Sequence, residues 1–179
     1  MGVSSISLPQ SAGASLSAKG LWFLHTYPEG RIVHRDIKPT NILITDKFRA
    51  KLADFGLSKV MDIGQSHVSS EVRGTFGYVD PEYRRNHRVN ASGDVYSFGM
   101  AKNLTRGGDI TKFADPKLNG EYSVEAFDIV LKLALSCIGL KQERPSMEQV
   151  VLSLENSLFI SKQAKRVASH GRSYIKALQ

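Results

Sequence analysis

The run His34-Arg35-Asp36-Ile37-Lys38-Pro39-Thr40-Asn41 is followed downstream by Asp54-Phe55-Gly56. Asp36 and Asn41 lie five residues apart, and Asp36 and Asp54 eighteen. Two carboxylates, an amide and a lysine at these separations match what phosphoryl transfer from ATP requires on one side of its site. Asp36 is suited to accept the proton of an attacking hydroxyl. Asn41 and Asp54 offer the hard oxygens that magnesium prefers. Lys38 brings a point charge to the transferring phosphate. Asp-Phe-Gly alone reads equally well as a loop aspartate before a glycine turn. The ordered combination, with Lys38 and Asn41 at their offsets, is what narrows the chemistry.

These groups need rigid supports, and short β-prone runs flank them. Arg31-Ile32-Val33 precedes the loop, Asn41-Ile42-Leu43-Ile44-Thr45 follows it, and Arg49-Ala50-Lys51-Leu52-Ala53 leads into Asp54. Such runs, separated by turn residues, read as small strands. Upstream, Leu16, Leu21, Trp22 and Leu24 suit the end of a helix closing at His25, before the turn Pro28-Glu29-Gly30. Residues 1 to 15 are rich in Ser, Ala and Gly and read as unstructured. Residues 57 to 83 read as one long loop holding Ser58, Ser66, Ser69, Ser70 and Thr75, and long loops inside compact domains usually serve function. The last third is helical. Phe127, Val130, Leu131, Ala134 and Ile138 form one apolar stripe, and Met147, Val150, Val151, Leu154 and Leu158 a second. Ser146 and Gln149, just after Pro145, form a capping box that opens the second helix.

The bulk numbers set bounds. A chain of 179 residues, 41% apolar, suits one domain with a sizeable core. The net charge is +7. Part of the excess lies beyond Ser161, where Lys162, Lys165, Arg166, Arg172 and Lys176 meet no acidic residue. A solvated basic tail is the plain reading. An acidic membrane surface or acidic partner is the sharper one. No nucleic-acid-binding signature accompanies the charge. Cys137 is the only cysteine and falls on an apolar helix face, so it reads as core, and the lack of a disulfide pair suits a reducing compartment. No apolar run reaches membrane-spanning length. The first 18 residues lack the pattern of a signal peptide, and Ile6 stands where a myristoylation motif after Gly2 wants Ser or Thr. A soluble, cytoplasmic chain is expected.

The run Gly74-Thr75-Phe76-Gly77-Tyr78-Val79-Asp80-Pro81-Glu82-Tyr83 resembles the substrate-binding end of a protein kinase activation segment, with Asp80 in place of the usual alanine of A-P-E. With Gly93-Asp94-Val95-Tyr96-Ser97-Phe98-Gly99, and with Cys137 seven residues before Arg144-Pro145-Ser146-Met147, the pattern resembles the receptor-like serine/threonine kinases of plants. The resemblance spans about Leu16 to Met100 and Asp109 to Leu158. It implies a mainly α fold with small β elements, the C-terminal or large lobe only of a protein-kinase-like fold. The implied domain covers residues 16–158, between an unstructured segment 1–15 and a basic tail 159–179.

The resemblance also implies roles. Asp36 would be the catalytic base and Lys38 the phosphate-contacting lysine, in the serine/threonine pattern. Asn41 and Asp54 would hold Mg2+ with ATP, and Leu43 would form the floor under adenine. Phe55 and Gly56 complete the magnesium loop. Thr75 would support the substrate loop, Arg35 would receive an activation-loop phosphate, and Ser66, Ser69 and Ser70 are candidate phosphosites. Glu82 and Arg144 would form a buried ion pair, and Asp94 would accept backbone N–H groups of the catalytic loop. A protein substrate is implied, with association to a full-length kinase or receptor at the cytoplasmic face of the plasma membrane.

Two departures bear on activity. No G-x-G-x-x-G run, V-A-I-K lysine or partner glutamate precedes His34, although in the family these cover and position the phosphates. After Met100 the sequence Ala101-Lys102-Asn103-Leu104-Thr105-Arg106-Gly107-Gly108 replaces a leucine-rich helix interior, and the shortened stretch to Arg144 implies a deletion. Three functions remain open: a serine/threonine kinase, a non-catalytic binding module, and an unstable fragment. The expected structural costs are exposed apolar surface at Leu43, Leu52 and Phe55, with disorder at residues 1–15, 61–72, 101–112 and 162–179.

Overall fold

Small side chains let two helices approach closely, and the first helix of the chain is built that way. In the computed structural model, which describes residues 8–47, 49–102 and 122–177, helix α1 spans Leu8–His25. It begins well inside the segment expected to be unstructured. Ala14, Ser17, Ala18 and Leu21 are buried, and α1 packs along the last helix, α5 (Met147–Ala177). The Ser/Ala composition that reads as a linker is here the small-residue face of a helix. The chain leaves α1 through Gly30, whose φ of +135° and close approach to the Met61 carbonyl leave no room for a Cβ.

Three two-stranded antiparallel sheets follow. Strand β1 (Arg31–Val33) pairs with β4 (Lys59–Met61), with Val33 opposite Lys59. Strand β2 (Ile42–Ile44) pairs with β3 (Ala50–Leu52). These match the β-prone runs of the sequence. Strand β5 (Val68–Ser69) pairs with β6 (Arg88–Val89). Residues 61–72, expected to be disordered, instead contain the end of β4 and all of β5, tied across by the Ser70 N–H donating to the His87 carbonyl at 2.9 Å.

Among the described residues, helices α2 (Pro81–Asn86), α3 (Ala91–Lys102) and α4 (Val124–Cys137) precede α5. Ser123 caps α4 by accepting from the Ala126 N–H at 3.2 Å. The capping box of α5 closes both ways: Gln149 N–H donates to Ser146 Oγ at 3.3 Å, and Ser146 N–H to Gln149 Oε1 at 2.8 Å. Phe127, Val130 and Ala134 of one predicted stripe are buried, as are Met147, Val150, Val151 and Leu154 of the other. Helix α5 does not end near Leu158. It runs to Ala177, through a stretch of Lys, Gln, Ala and Arg that favours helix, so the expected disorder from 162 is overturned over the described residues. Ala101 and Lys102 close α3. The rest of the altered stretch, 103–112, lies outside the described residues, as do residues 1–7.

The core has two parts. The larger joins α1, α3, α4 and α5 around Leu21, Ile37, Phe98, Val130 and Val150. The smaller gathers Val33, Met61, Tyr83 and Val89. Val33 and Ile37 thus sit in different cores on either side of the His34–Asp36 loop, which is gripped from both flanks. The apolar exposure expected near the loop is present at Leu43 (54%) and Phe55 (47%). Leu52 departs from it: it is half-buried and packs on the larger core, against Gly20.

Gly99 marks the tightest crossing. A Cβ there would lie 2.6 Å from Cys137 Cβ and 2.9 Å from Ile138 Cγ2. Cys137 is itself sealed, and burial pushes its thiol up to about 12. Gly93, on the same helix, faces open space. Gly99→Ala is therefore expected to destabilise by about 1–3 kcal/mol through overpacking, and Gly93→Ala to stabilise by up to about 1 kcal/mol through helix propensity. Urea unfolding of the two variants checks the opposite signs.

Candidate active site

Asp94, at the start of α3, is almost wholly buried. A buried carboxylate needs donors, and Asp94 has three. Its Oδ2 accepts the His34 N–H at 2.7 Å and the His25 Nε2–H at 2.9 Å, and its Oδ1 accepts the Arg35 N–H at 2.8 Å. These bonds hold Arg35 at φ 72°, a left-handed conformation costing about 1–3 kcal/mol for a non-glycine residue. The sequence-based role of Asp94 as acceptor for loop N–H groups has this geometry. His25, its third partner, was missed, because a histidine 69 residues upstream carries no local signal.

His34 is fully buried. Its Nδ1 accepts the Asp36 N–H at 3.3 Å, so the ring proton sits on Nε2 and is donated to the Ala53 carbonyl at 3.1 Å. The ring also lies against Phe55, 4.9 Å between centroids. One imidazole therefore couples the Asp36 loop to the Asp54 loop. Asp54 itself sits in the left-handed region at φ 62°, and its side chain is exposed.

Asp36 is the convergence point. Oδ2 accepts from Lys38 Nζ at 2.8 Å and Asn41 Nδ2 at 3.1 Å. Oδ1 accepts from Thr75 N–H at 3.0 Å and Thr75 Oγ1 at 2.6 Å. Lys38 Nζ also donates to Thr75 Oγ1 at 2.8 Å, and Asn41 Nδ2 to the Asp36 carbonyl at 2.9 Å. Burial pushes Asp36 upward, but the hydrogen bonds from Lys38, Thr75 and Asn41 and the charge of Lys38 outweigh it, and its pKa falls below 3.8. The sign follows: ionised Asp36 adds stability that is fully present above the unfolded value and is lost as pH falls through the lower folded value. Asp36, Lys38, Asn41 and Thr75 are thus brought together. Leu43 lies on exposed β2, outside this network.

Arg35 turns away from Asp36. Its Nη2 donates to Tyr83 Oη at 2.7 Å and to the Glu71 carbonyl at 3.1 Å, while its buried Nε has no partner among the described residues. Tyr83, unmarked in the sequence reading, links Arg35, the Glu71 carbonyl and the Arg73 N–H. Ser66 is exposed and bonded to His67 Nδ1 at 3.0 Å, Ser69 is exposed in β5, and Ser70 precedes the Glu71 carbonyl that Arg35 holds.

One expected pairing is corrected. Arg144 pairs with Asp80, not with Glu82: Nη1 lies 2.6 Å from Oδ2 and Nη2 3.1 Å from Oδ1, both side chains being 3% exposed. Asp80 is the N-cap of α2 and accepts the Glu82 N–H at 3.0 Å. Glu82, two residues on, is half-buried and makes no ion pair among the described residues. Arg144 Nε also donates to the Gly139 carbonyl at 3.0 Å, and its guanidinium stacks 5.0 Å from the Tyr96 ring centroid. Breaking this pair from either side, by Arg144→Ala or Asp80→Ala, is expected to cost about 3–5 kcal/mol. Glu82→Gln should change stability by no more than about 0.5 kcal/mol. Denaturant titration of the three variants checks the order, and a large loss for Glu82→Gln would overturn the assignment.

A family model described as protein kinase domain matches residues 14–170. A probable LRR receptor-like serine/threonine-protein kinase of Arabidopsis thaliana is 41% identical over 174 residues, covering 79% of this chain and 20% of that protein. The probable LRR receptor-like serine/threonine-protein kinase PAM74 of the same plant is 43% identical over 169 residues, covering 79% of this chain and 19% of its own length. The LRR receptor-like serine/threonine-protein kinase IOS1, also from Arabidopsis, is 40% identical over 172 residues, covering 81% and 19%. The chain spans about a fifth of the length of these curated relatives. No described helix is long and apolar enough to cross a membrane. With its mainly helical architecture and small two-stranded sheets, the chain belongs to the protein kinase family and is related to the receptor-like serine/threonine kinases of plants.

Proposed function

We propose that this chain is the large lobe of a serine/threonine kinase, in which Asp36 orients the substrate hydroxyl and accepts its proton late in phosphoryl transfer. The observation that carries this reading is the fully bonded Asp36 carboxylate. Its two oxygens accept four donors, which saturates a carboxylate. A substrate hydroxyl must therefore take the place of one donor. Thr75 Oγ1, itself a hydroxyl at 2.6 Å, supports Oδ1 as the oxygen that receives that group. With a lowered pKa, Asp36 is a weak base. It holds the hydroxyl in line and takes the proton once bonding to phosphorus has acidified it. Lys38, shared between Asp36 and Thr75, places its charge beside the oxygens that gain charge.

Asn41 and Asp54 fit a magnesium role by the chemistry of their donors. The Asn41 amide nitrogen is committed to Asp36, which fixes the side chain and leaves its oxygen without a hydrogen-bond donor among the described residues. The Asp54 carboxylate is exposed. Magnesium needs only one or two such oxygens beside those of the phosphates, and when bound it neutralises phosphate charge. Leu43, exposed on β2, fits the adenine floor. Arg35, with an unpartnered buried Nε and a contact one residue beyond Ser70, fits a phosphate receiver for the segment bearing Ser66, Ser69 and Ser70. The protein substrate is proposed from the kinase family, and a receptor partner from the receptor-like names of the relatives.

A non-catalytic docking module is the competing reading, favoured by exposed Leu43 and Phe55. The two separate by experiment. The 179 residues alone, assayed with ATP, magnesium and a basic protein substrate, are expected to show no turnover above an Asp36→Asn control, since they contain no phosphate-covering glycine loop. A small lobe from a related kinase, joined ahead of α1, is expected to give phosphorylation of serine or threonine that Asp36→Asn abolishes. A well-folded fusion no more active than its Asp36→Asn form would refute the catalytic reading and leave the docking one.

A further inference from the structure

A cavity of about 340 Å³ lies behind the catalytic loop, between the end of α1, the start of α3 and the segment entering α5. Its volume is in the range of small-ligand sites, which are mostly apolar with a few converging polar groups. Trp22, Val95 and Met147 supply the apolar walls. Arg31, Lys141 and Arg144 supply positive charge, and Glu148 is the one acidic side chain among the described lining residues. Arg144 is matched by Asp80. Summed with Glu148, the described lining keeps one net positive charge. His25 adds a polar contact: it is 92% buried, its Nε2 is spent on Asp94, and its Nδ1 has no hydrogen-bond partner among the described residues.

From this lining we infer a binding site for a small organic monoanion with an aromatic body, of the aryl-alkyl carboxylate class. The carboxylate meets Lys141 and Arg31, and the ring lies against Trp22. Arg31 is exposed at the mouth and Lys141 is half-buried, and neither is engaged in an ion pair among the described residues. A doubly charged ligand would bring one negative charge too many for the lining. An uncharged one would leave Lys141 facing an apolar body. The cavity touches both buried clamps of the molecule. His25 belongs to the Asp94 clamp on the catalytic loop, and Arg144 belongs to the Asp80 clamp on α2. None of the residues assigned above to phosphoryl transfer lines it, so the site stands apart from that reading.

Trp22 is the only tryptophan of the chain and lines the cavity, so its indole N–H resonance is a single, assigned reporter. The full chain is titrated with 3-phenylpropanoate and, in parallel, with the uncharged 3-phenylpropanamide. The acid is expected to shift the Trp22 signal saturably and to bind about tenfold or more tightly than the amide, the range for one charge-assisted contact. Lys141→Ala and Arg31→Ala, both at side chains without an ion pair among the described residues, are expected to weaken the acid by a similar factor and to leave the amide unchanged. Lys141→Arg is expected to bind the acid as the parent does. Absence of a saturable shift, equal affinity for acid and amide, or undiminished acid binding in the two alanine variants would overturn the site.

Discussion

Asp94 is the group on which the rest of the site depends. A carboxylate removed from water costs several kcal/mol unless its lone pairs are met. Asp94 recovers that cost through the amides of His34 and Arg35 and the ring of His25. The same three bonds impose the left-handed turn at Arg35. That turn sends the Arg35 side chain toward Tyr83 and the Asp36 side chain toward Thr75 and Asn41. Without the buried acceptor, the two sequential N–H groups would point into a protein interior with no partner, and the turn would have no reason to form.

Around that anchor the molecule repeats one device: a buried acidic group receives donors from segments far apart in sequence. Asp80 does for α2 and the loop before α5 what Asp94 does for the catalytic loop. Asp36, buried as they are, gathers its donors from Lys38, Asn41 and Thr75. Leu43 and Phe55 remain exposed, and an apolar cover would bury them.

How much of this was legible in the chain follows the range of the interactions. The strands beside the catalytic loop, the stripes of α4 and α5 and the Ser146–Gln149 box are short-range patterns, and each stands where its spacing put it. The Asp94 role was readable because its motif is compact. Four features were not readable. Helix α1 starts at Leu8 because Ala14, Ser17 and Ala18 pack on α5, and nothing local distinguishes that face from a linker. The β5–β6 pairing joins residues about twenty apart. Asp80 rather than Glu82 meets Arg144, and residue type alone does not tell the two carboxylates apart. Helix α5 reaches Ala177 on propensity beyond its last core contacts.

Asp94, through the turn it imposes, sets the electrostatic state of Asp36. Direct titration of the Asp36 carboxyl carbon by NMR, in the parent chain and in Asp94→Asn, tests this dependence. Asp36 is expected to titrate below its ordinary value of 3.8 in the parent. The value is expected to rise toward the ordinary one when the amide of the variant can no longer accept the full set of loop donors. A parent value at or above the ordinary one, or a lowered value that Asp94→Asn leaves unmoved, would show that Asp94 does not act on Asp36.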